Sequence, residues 1–216
     1  MLGKLNAIRT PKDISNHNKV ICSIAILTFG IALGLFSKVL DETANSSLPI
    51  FVAQLDLCNF FSRMGIWLFI AICISLYTKN PIRAGINVLL FFVGMVSSYY
   101  LYTVFIVGFF PKSYMMIWIV ITLLSPLLGA ICWYARGTHT VSVIISSFIF
   151  AVMAMTAFNL GIDFSYFDVS YFLELFLFLA TVLVLYNTPK QIAKVIGLGS
   201  VLFILLSLTP LRYFIF

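Results

Sequence analysis

The 216-residue chain is 62% hydrophobic and only 9% charged, with a mean hydropathy of +1.11 and a formal net charge of +6. Soluble domains carry about 25% charged residues, so a globular core cannot bury this much apolar surface, and lipid must cover the rest. The basic residues stand one or two at a time between hydrophobic runs, a pattern that orients membrane helices and does not indicate nucleic-acid binding.

The N-terminal part of the chain is predicted to stay attached. Residues 1–19 are polar and basic, and we expect a cytoplasmic segment ahead of a single transmembrane domain over residues 20–216. A signal peptide is the alternative, but the run Val20–Phe36 is longer than a usual signal core and no small-residue cleavage pattern follows it. Within this first span Gly30 and Gly34 form G-x-x-x-G, which favours local helix packing over a dimer interface.

A long polar connection is predicted after the first span, from Ser37 to about Leu57. Its half-apolar middle, LPIFVAQLDL, is typical of a short element on the membrane surface. Further hydrophobic runs follow it. The predicted spans are Cys58–Tyr77, Ala84–Pro111, Ser113–Ala135, Thr140–Leu160, Ser170–Tyr186 and Ile192–Tyr213.

The fold class predicted from these runs is an all-α, polytopic transmembrane helical bundle. A bilayer core of about 30 Å takes about 20 apolar residues as helix, and Ala84–Pro111 contains no charge at all. We predict seven spans; six is the alternative if the last two runs are re-entrant or one boundary is misread.

The distribution of basic residues predicts the orientation. With the N-terminus in the cytoplasm, nine Lys and Arg residues fall inside and four outside, as the positive-inside rule requires. The inner ones are Lys4, Arg9, Lys12, Lys19, Lys79, Arg83, Arg136, Lys190 and Lys194, and the outer ones are Lys38, Arg63, Lys112 and Arg212.

A cluster of charged residues is predicted at the outer ends of the spans. Lys38, Asp41 and Glu42 follow the first span, Arg63 stands about five residues inside the second, and Glu174 stands just inside the sixth. At a rise of about 1.5 Å per residue, Arg63 and Glu174 reach similar depths and can pair. Two interpretations stay open: an outward-facing polar binding pocket, or a salt bridge that locks two helices together.

A stripe of polar and small residues marks the third span. Asn87, Gly94, Ser98 and Tyr102 share one helical face. These groups would line a solute path or make interhelical hydrogen bonds, each worth about 0.6 kcal/mol in membranes.

The sequence lacks the motifs that several kinds of chemistry require. The sequence contains no G-x-x-x-x-G-K-[ST] and no H-E-x-x-H, and its four cysteines have no C-x-x-C spacing. Neither of the two histidines, His17 and His139, has the partner residues that a metal site or a catalytic dyad would need. We therefore predict no nucleotide hydrolysis by the chain itself, no metal, no cofactor and no enzymatic activity.

Part of the chain resembles a known group of proteins. The run KNPIRAGINVLLFFVGMVSSYYLYT, then GFFPKSY, Ser125-Pro126, WYARG and FNLGIDFSYFD, is similar to an uncharacterised family of small multi-pass membrane proteins from Gram-positive, largely clostridial, bacteria. That family carries a domain-of-unknown-function label, so the resemblance implies the topology and a bacterial plasma membrane, and no activity. In size, basicity and number of spans the chain is also similar to the substrate-binding membrane subunits of energy-coupling-factor vitamin transporters.

Two classes of function follow from these observations. The first is a small-solute transporter, or the membrane subunit of a transport complex with a partner membrane protein or ATPase module. The alternative is a non-transporting accessory or scaffold protein that binds a partner membrane protein, which predicts a bundle without a cavity and a lipid-facing G-x-x-x-G at Gly30 and Gly34. A membrane enzyme would need a titratable pair in a wet cleft.

Overall fold

The computed structural model describes residues 7–43, 48–108, 111–161 and 166–209. The described chain is 81% helical. The helices are α1 (Asn16–Glu42), α2 (Ile50–Gln54), α3 (Leu57–Ser62), α4 (Met64–Tyr77), α5 (Pro81–Tyr102), α6 (Lys112–Trp133), α7 (Thr140–Ala157), α8 (Phe172–Leu185) and α9 (Pro189–Ser207). A π-helical turn, Thr103–Val107, extends α5, and a 3₁₀ turn, Tyr134–Arg136, extends α6.

Five of these helices are long and apolar enough to cross a membrane: α1, α5 and α6 with their extensions, α7 and α9. Two shorter apolar helices, α4 and α8, accompany them. The prediction of a helical protein with apolar segments of membrane-spanning length is therefore confirmed at this level.

The described residues form two compact units. The α5 unit comprises residues 11–62 and 77–133, and the α7 unit comprises the described parts of Met1–Thr10, Arg63–Leu76 and Tyr134–Phe216. The predicted division into an N-terminal segment and one transmembrane domain stays a prediction.

In the α5 unit, α5 packs against both α1 and α6. Small residues make these contacts close. A Cβ at Gly30 would meet the carbonyl oxygen of Phe91, and one at Gly94 would lie 2.6 Å from the carbonyl oxygen of Leu27. On the α6 side, a Cβ at Gly85 would lie 2.5 Å from the carbonyl oxygen of Pro126. Gly30 is buried in this contact, and Gly34 packs likewise on the backbone of Met95, so the lipid-facing motif expected of a scaffold protein is wrong.

In the α7 unit, α7 packs against α8 and α9. A β-hairpin follows α7: β1 (Phe158–Leu160) pairs antiparallel with β2 (Phe167–Val169), with Leu160 opposite Phe167. The fifth predicted span therefore ends at Ala157 and not at Leu160, because the backbone of Phe158 is already extended.

The helices α5 and α9 begin in the same way. The side chain of Asn80 accepts a hydrogen bond from the backbone N–H of Ile82, and that of Thr188 accepts one from Gln191. In both helices a proline occupies the first turn, where its missing N–H is not needed. These caps separate α5 from α4 and α9 from α8 at short turns.

Three other predicted boundaries differ from the structure. The first helix continues to Glu42, so Ser37 and the charged residues after it are helical and not part of a polar connection. The second predicted span is interrupted at Arg63, between α3 and α4. The sixth contains only 14 helical residues, about 21 Å of helix.

Two further predictions concern the segment LPIFVAQLDL and the end of the seventh span. Within LPIFVAQLDL the structure has the five-residue helix α2, and its position on a membrane surface stays a prediction. The last helix, α9, ends at Ser207, because Leu208 and Thr209 already form a turn; the predicted end of the seventh span at Tyr213 lies outside the described residues.

Candidate functional site

The central feature of the α7 unit is an ion pair between Arg63 and Glu174. Arg63 occupies the break between α3 and α4, and Glu174 lies in the first turn of α8. Nε of Arg63 donates to Oε1 of Glu174. The pairing predicted from the similar depths of these two charges is confirmed.

The two partners differ in burial. The side chain of Glu174 is 2% exposed and that of Arg63 is 18% exposed. A buried charge is costly unless it is paired, and the amino end of a helix further favours a carboxylate. Arg63 therefore stabilises the charge of Glu174, while part of its own guanidinium reaches the surface.

An aromatic ring completes the arrangement on the arginine side. Cζ of Arg63 lies 3.7 Å from the centroid of the Tyr171 ring, a cation–π distance. Tyr171 is the residue that immediately precedes α8, so the helix that supplies the carboxylate also positions the ring.

One carboxylate oxygen of the pair is not used. Oε2 of Glu174 is buried and has no hydrogen-bond partner within the described ranges, and the same holds for Oγ of Ser170. Gly65 lies beside this carboxylate: a Cβ there would stand 3.7 Å from Cγ of Glu174 and 3.6 Å from Thr156. A buried acceptor of this kind costs about 1–3 kcal/mol when it is left without a donor.

A second charged cluster lies in the α5 unit. Lys38 is 5% exposed, and its Nζ contacts Glu42 and, at 3.0 Å, Asp41, one turn further along α1. The hydroxyl of Tyr99 on α5 donates to Oδ2 of Asp41 at 3.0 Å, and Nζ of Lys38 lies 5.2 Å from the Tyr99 ring centroid. These contacts satisfy the buried ammonium and leave one excess negative charge.

The structure thus assembles the predicted charges as two groups. Lys38, Asp41 and Glu42 meet in the α5 unit, and Arg63 meets Glu174 in the α7 unit. That all five line one pocket stays a prediction.

The polar stripe is mostly buried. Asn87 is 5% exposed and Ser98 is 7% exposed, whereas Tyr102 is half-buried. The Ser98 hydroxyl donates to the carbonyl of Met95 in its own helix, and the Asn87 amide donates to the Thr78 hydroxyl at 3.4 Å. The first bond lies within α5 and the second joins α5 to the turn before it, so neither of them joins two helices. Interhelical hydrogen bonds and a solute path along the stripe both stay predictions.

The sequence does not reveal that two tyrosines contact the charges. Tyr171 and Tyr99 each stand next to a charged side chain through tertiary packing. An aromatic residue near the predicted end of a span was the available signal, but the ten tyrosines of the chain make it unspecific.

In the part of the chain that the structure describes, no three His, Cys, Asp or Glu side chains come together as a metal site would require.

Comparison with known proteins adds no assignment. No protein-family model, no curated protein and no solved structure matches the chain. The resemblance to the clostridial family and the absence of enzymatic activity stay predictions.

Proposed function

We propose that the chain is a multi-pass membrane protein that binds a small solute at the Arg63–Glu174 pair, as a transporter or as the membrane subunit of a transport complex. The observation that carries this proposal is the free, buried Oε2 of Glu174. It is a fixed acceptor beside a partly exposed cation, and such a group is matched by a hydrogen-bond donor on a ligand.

The charge of the pair limits the solute. Arg63 and Glu174 neutralise each other, so a neutral molecule with a hydroxyl or N–H donor would satisfy Oε2 without adding net charge to a buried site. The exposed ring of Tyr171 beside the guanidinium favours a solute that also carries an aromatic ring.

The topology proposed with this function has seven spans and a cytoplasmic N-terminus. The five long helices supply five crossings. The interrupted pair α3–α4 and the short α8 would supply the other two, and the basic turns at Lys79–Arg83, Arg136 and Lys190–Lys194 would then share the inner side. The bacterial plasma membrane is proposed from the resemblance alone.

Ligand binding is tested on the detergent-purified protein with a library of vitamins, amino acids and ions. A ligand raises the unfolding temperature because it stabilises the folded state by RT ln(1 + [L]/Kd), about 2.7 kcal/mol at 100 times Kd. We expect one solute class to give a saturable shift that Glu174→Gln abolishes. The matched control is Asp168→Asn, an exposed carboxylate of the same unit, which should keep the shift. A flat response across the library, or an unchanged shift in Glu174→Gln, would contradict solute binding at this pair.

The topology is tested by labelling single cysteines in a cysteine-free variant. Thr138→Cys and Asn187→Cys should react with an impermeant maleimide only after the membrane is opened, and Asp168→Cys should react in intact cells. Labelling of all three from the same side would rule out the proposed orientation and span number.

A further inference from the structure

The α7 unit contains a slot with apolar walls. A cavity of about 330 Å³ lies between α8 and α9, with Phe178 on one wall and Phe203 on the other. Its floor is α7, through Phe150 and Ala154. This volume falls within the range of about 300–1,000 Å³ that is usual for ligand pockets.

The β-hairpin closes one end of the slot. Alternate residues of a strand point to opposite faces, so Phe158 and Leu160 of β1 point the same way, and Phe167 of β2 pairs with Leu160. All three line the cavity, whereas Asn159 and Asp168 belong to the other face of the hairpin. The hairpin is thus apolar toward the slot and polar away from it.

The walls contain no charged group, and Ser200 supplies the lone side-chain hydroxyl among the lining residues. The phenyl rings contact one another edge to face, with centroid distances of 5.0 Å for Phe150–Phe178 and 5.2 Å for Phe158–Phe178. Ring faces that are already engaged in this way are poorly placed to surround a cation, and no carboxylate lines the cavity to assist one.

The rim of the slot continues into an exposed apolar surface. Phe167 on β2 is 62% exposed and Ile204 on α9 is 39% exposed. Leu183 on α8 and Val201 on α9 are exposed as well. The helix α9 is long and apolar enough to cross a membrane, so hydrocarbon would reach this rim once α9 is inserted.

From this geometry we propose that the slot is a binding site for one hydrocarbon chain of a membrane lipid. The chain enters sideways between α8 and α9 and fills the space under the hairpin. Lipid tails are as apolar as the lining, so the hydrophobic effect does not favour the slot over the bilayer. The binding free energy of the hydrocarbon chain comes instead from close packing against the five phenylalanines. The site rests on membrane insertion of α9 and is independent of solute binding at Glu174.

The test uses a phosphatidylcholine with a diazirine at mid-chain, added to the full chain in dodecylmaltoside micelles, with illumination and peptide mass spectrometry. We expect saturable labelling of peptides that contain Phe158 and Phe203, with competition by unlabelled phosphatidylcholine. Ser200→Phe should fill the slot and lose this labelling, whereas Ser200→Ala should keep it. Ser200 is exposed, and an elution profile and melting temperature equal to wild type show that the variant is folded. Ile204→Trp fills the slot from the rim and provides a second variant.

Three results would overturn the proposal. Labelling that rises linearly with lipid, as on the exposed α6 residues Leu123 and Leu127, would indicate lipid of the general annulus. Displacement of the probe by tetraethylammonium would indicate an organic-cation site. A disulfide between two copies of Ser200→Cys, with loss of labelling, would indicate a second copy of the chain as the occupant. Failure of the solute screen with Glu174 would leave the lipid result unaffected.

Discussion

The guanidinium of Arg63 stands over the ring of Tyr171, with 3.7 Å between Cζ and the ring centroid. The same guanidinium pairs through Nε with Glu174. One cation therefore serves a buried carboxylate and a partly exposed ring, both carried by the beginning of α8. Arg63, at the helix break just before α4, thereby joins α4 to the beginning of α8 within one unit.

Removing either charge of the pair should destabilise the protein, and by unequal amounts. Arg63→Gln leaves the carboxylate of Glu174 buried without compensation, which costs about 3–5 kcal/mol. Glu174→Gln leaves a cation that is 18% exposed and still contacts Tyr171, so its cost should be smaller. Equilibrium unfolding in mixed micelles measures both values.

The double variant Arg63→Met/Glu174→Met separates the charge from the packing. Without either charge, the cost should fall below that of Arg63→Gln alone, because no unpaired ion remains buried. A Glu174→Gln variant less stable than Arg63→Gln would show that the arginine, and not the carboxylate, is the group that depends on the pair.

Replacement of Tyr171 tests the cation–π contact. Tyr171→Leu should cost about 0.5–2 kcal/mol, while Tyr171→Phe keeps the ring and should be nearly neutral. Equal losses in the two variants would assign the stabilisation to the hydroxyl instead of the ring. The same unfolding measurement applies, with Tyr166→Leu, an exposed tyrosine before the hairpin strand β2, as the control.

The Arg63–Glu174 contact was predictable because charges are scarce in this chain. With 9% charged residues, an isolated cation and an isolated anion at similar depths have few other partners. The G-x-x-x-G packing of Gly30 and Gly34 was predictable for a related reason, since small residues at that spacing permit a close helix contact. The first prediction depends on the depth of each residue within its own span, and the second depends on local spacing.

Other features depend on which helices touch, and hydropathy does not contain that information. The interruption at Arg63 leaves the hydrophobic run intact, so hydropathy predicts one continuous span. The hairpin of Phe158–Leu160 is as apolar as the helix before it. The slot collects phenylalanines from α7, α8, α9 and the hairpin, and nothing in their sequence spacing marks them as neighbours.

The pH dependence of Arg9 follows from its surroundings in the α7 unit. Burial, and secondarily the charge of Arg136, lowers the pKa of Arg9 from 12.5 to about 10. Between these values the unfolded chain binds more protons than the folded one, so the contribution of Arg9 to stability rises with pH above about 10. Arg9→Met should remove this rise. The difference in unfolding free energy between wild type and Arg9→Met should therefore change between pH 9 and pH 11. Lys12→Met is the control, and an identical pH profile for wild type and Arg9→Met would contradict the lowered pKa.

The Tyr99 hydroxyl should contribute measurably to the cluster around Lys38. It donates to a carboxylate, Asp41, and a hydrogen bond to a charged group is worth about 1.5–3 kcal/mol when buried and less at the partial exposure of Asp41. Tyr99→Phe should therefore lower the free energy of unfolding, and Asp41→Asn should largely remove the difference between tyrosine and phenylalanine at this position. A double-mutant cycle of the two changes measures the coupling, and a coupling energy of zero would mean that the bond adds nothing to stability.

Alanine substitutions of glycine should separate close helix contacts from open helix surface. A Cβ at Gly30 would meet the Phe91 carbonyl and stand 3.2 Å from the backbone nitrogen of Met95, so α1 and α5 must move apart in Gly30→Ala. We expect a loss of about 1–3 kcal/mol, the usual cost of an overpacked contact. At Gly197 nothing lies within 4 Å of the added Cβ, and alanine is favoured over glycine in a helix by about 1 kcal/mol, so Gly197→Ala should be neutral or stabilising. Unfolding midpoints of the two variants in one detergent give the comparison directly. A stable Gly30→Ala protein would mean that α1 does not pack on α5 through this face, because backbone carbonyl groups cannot move aside as a flexible side chain can.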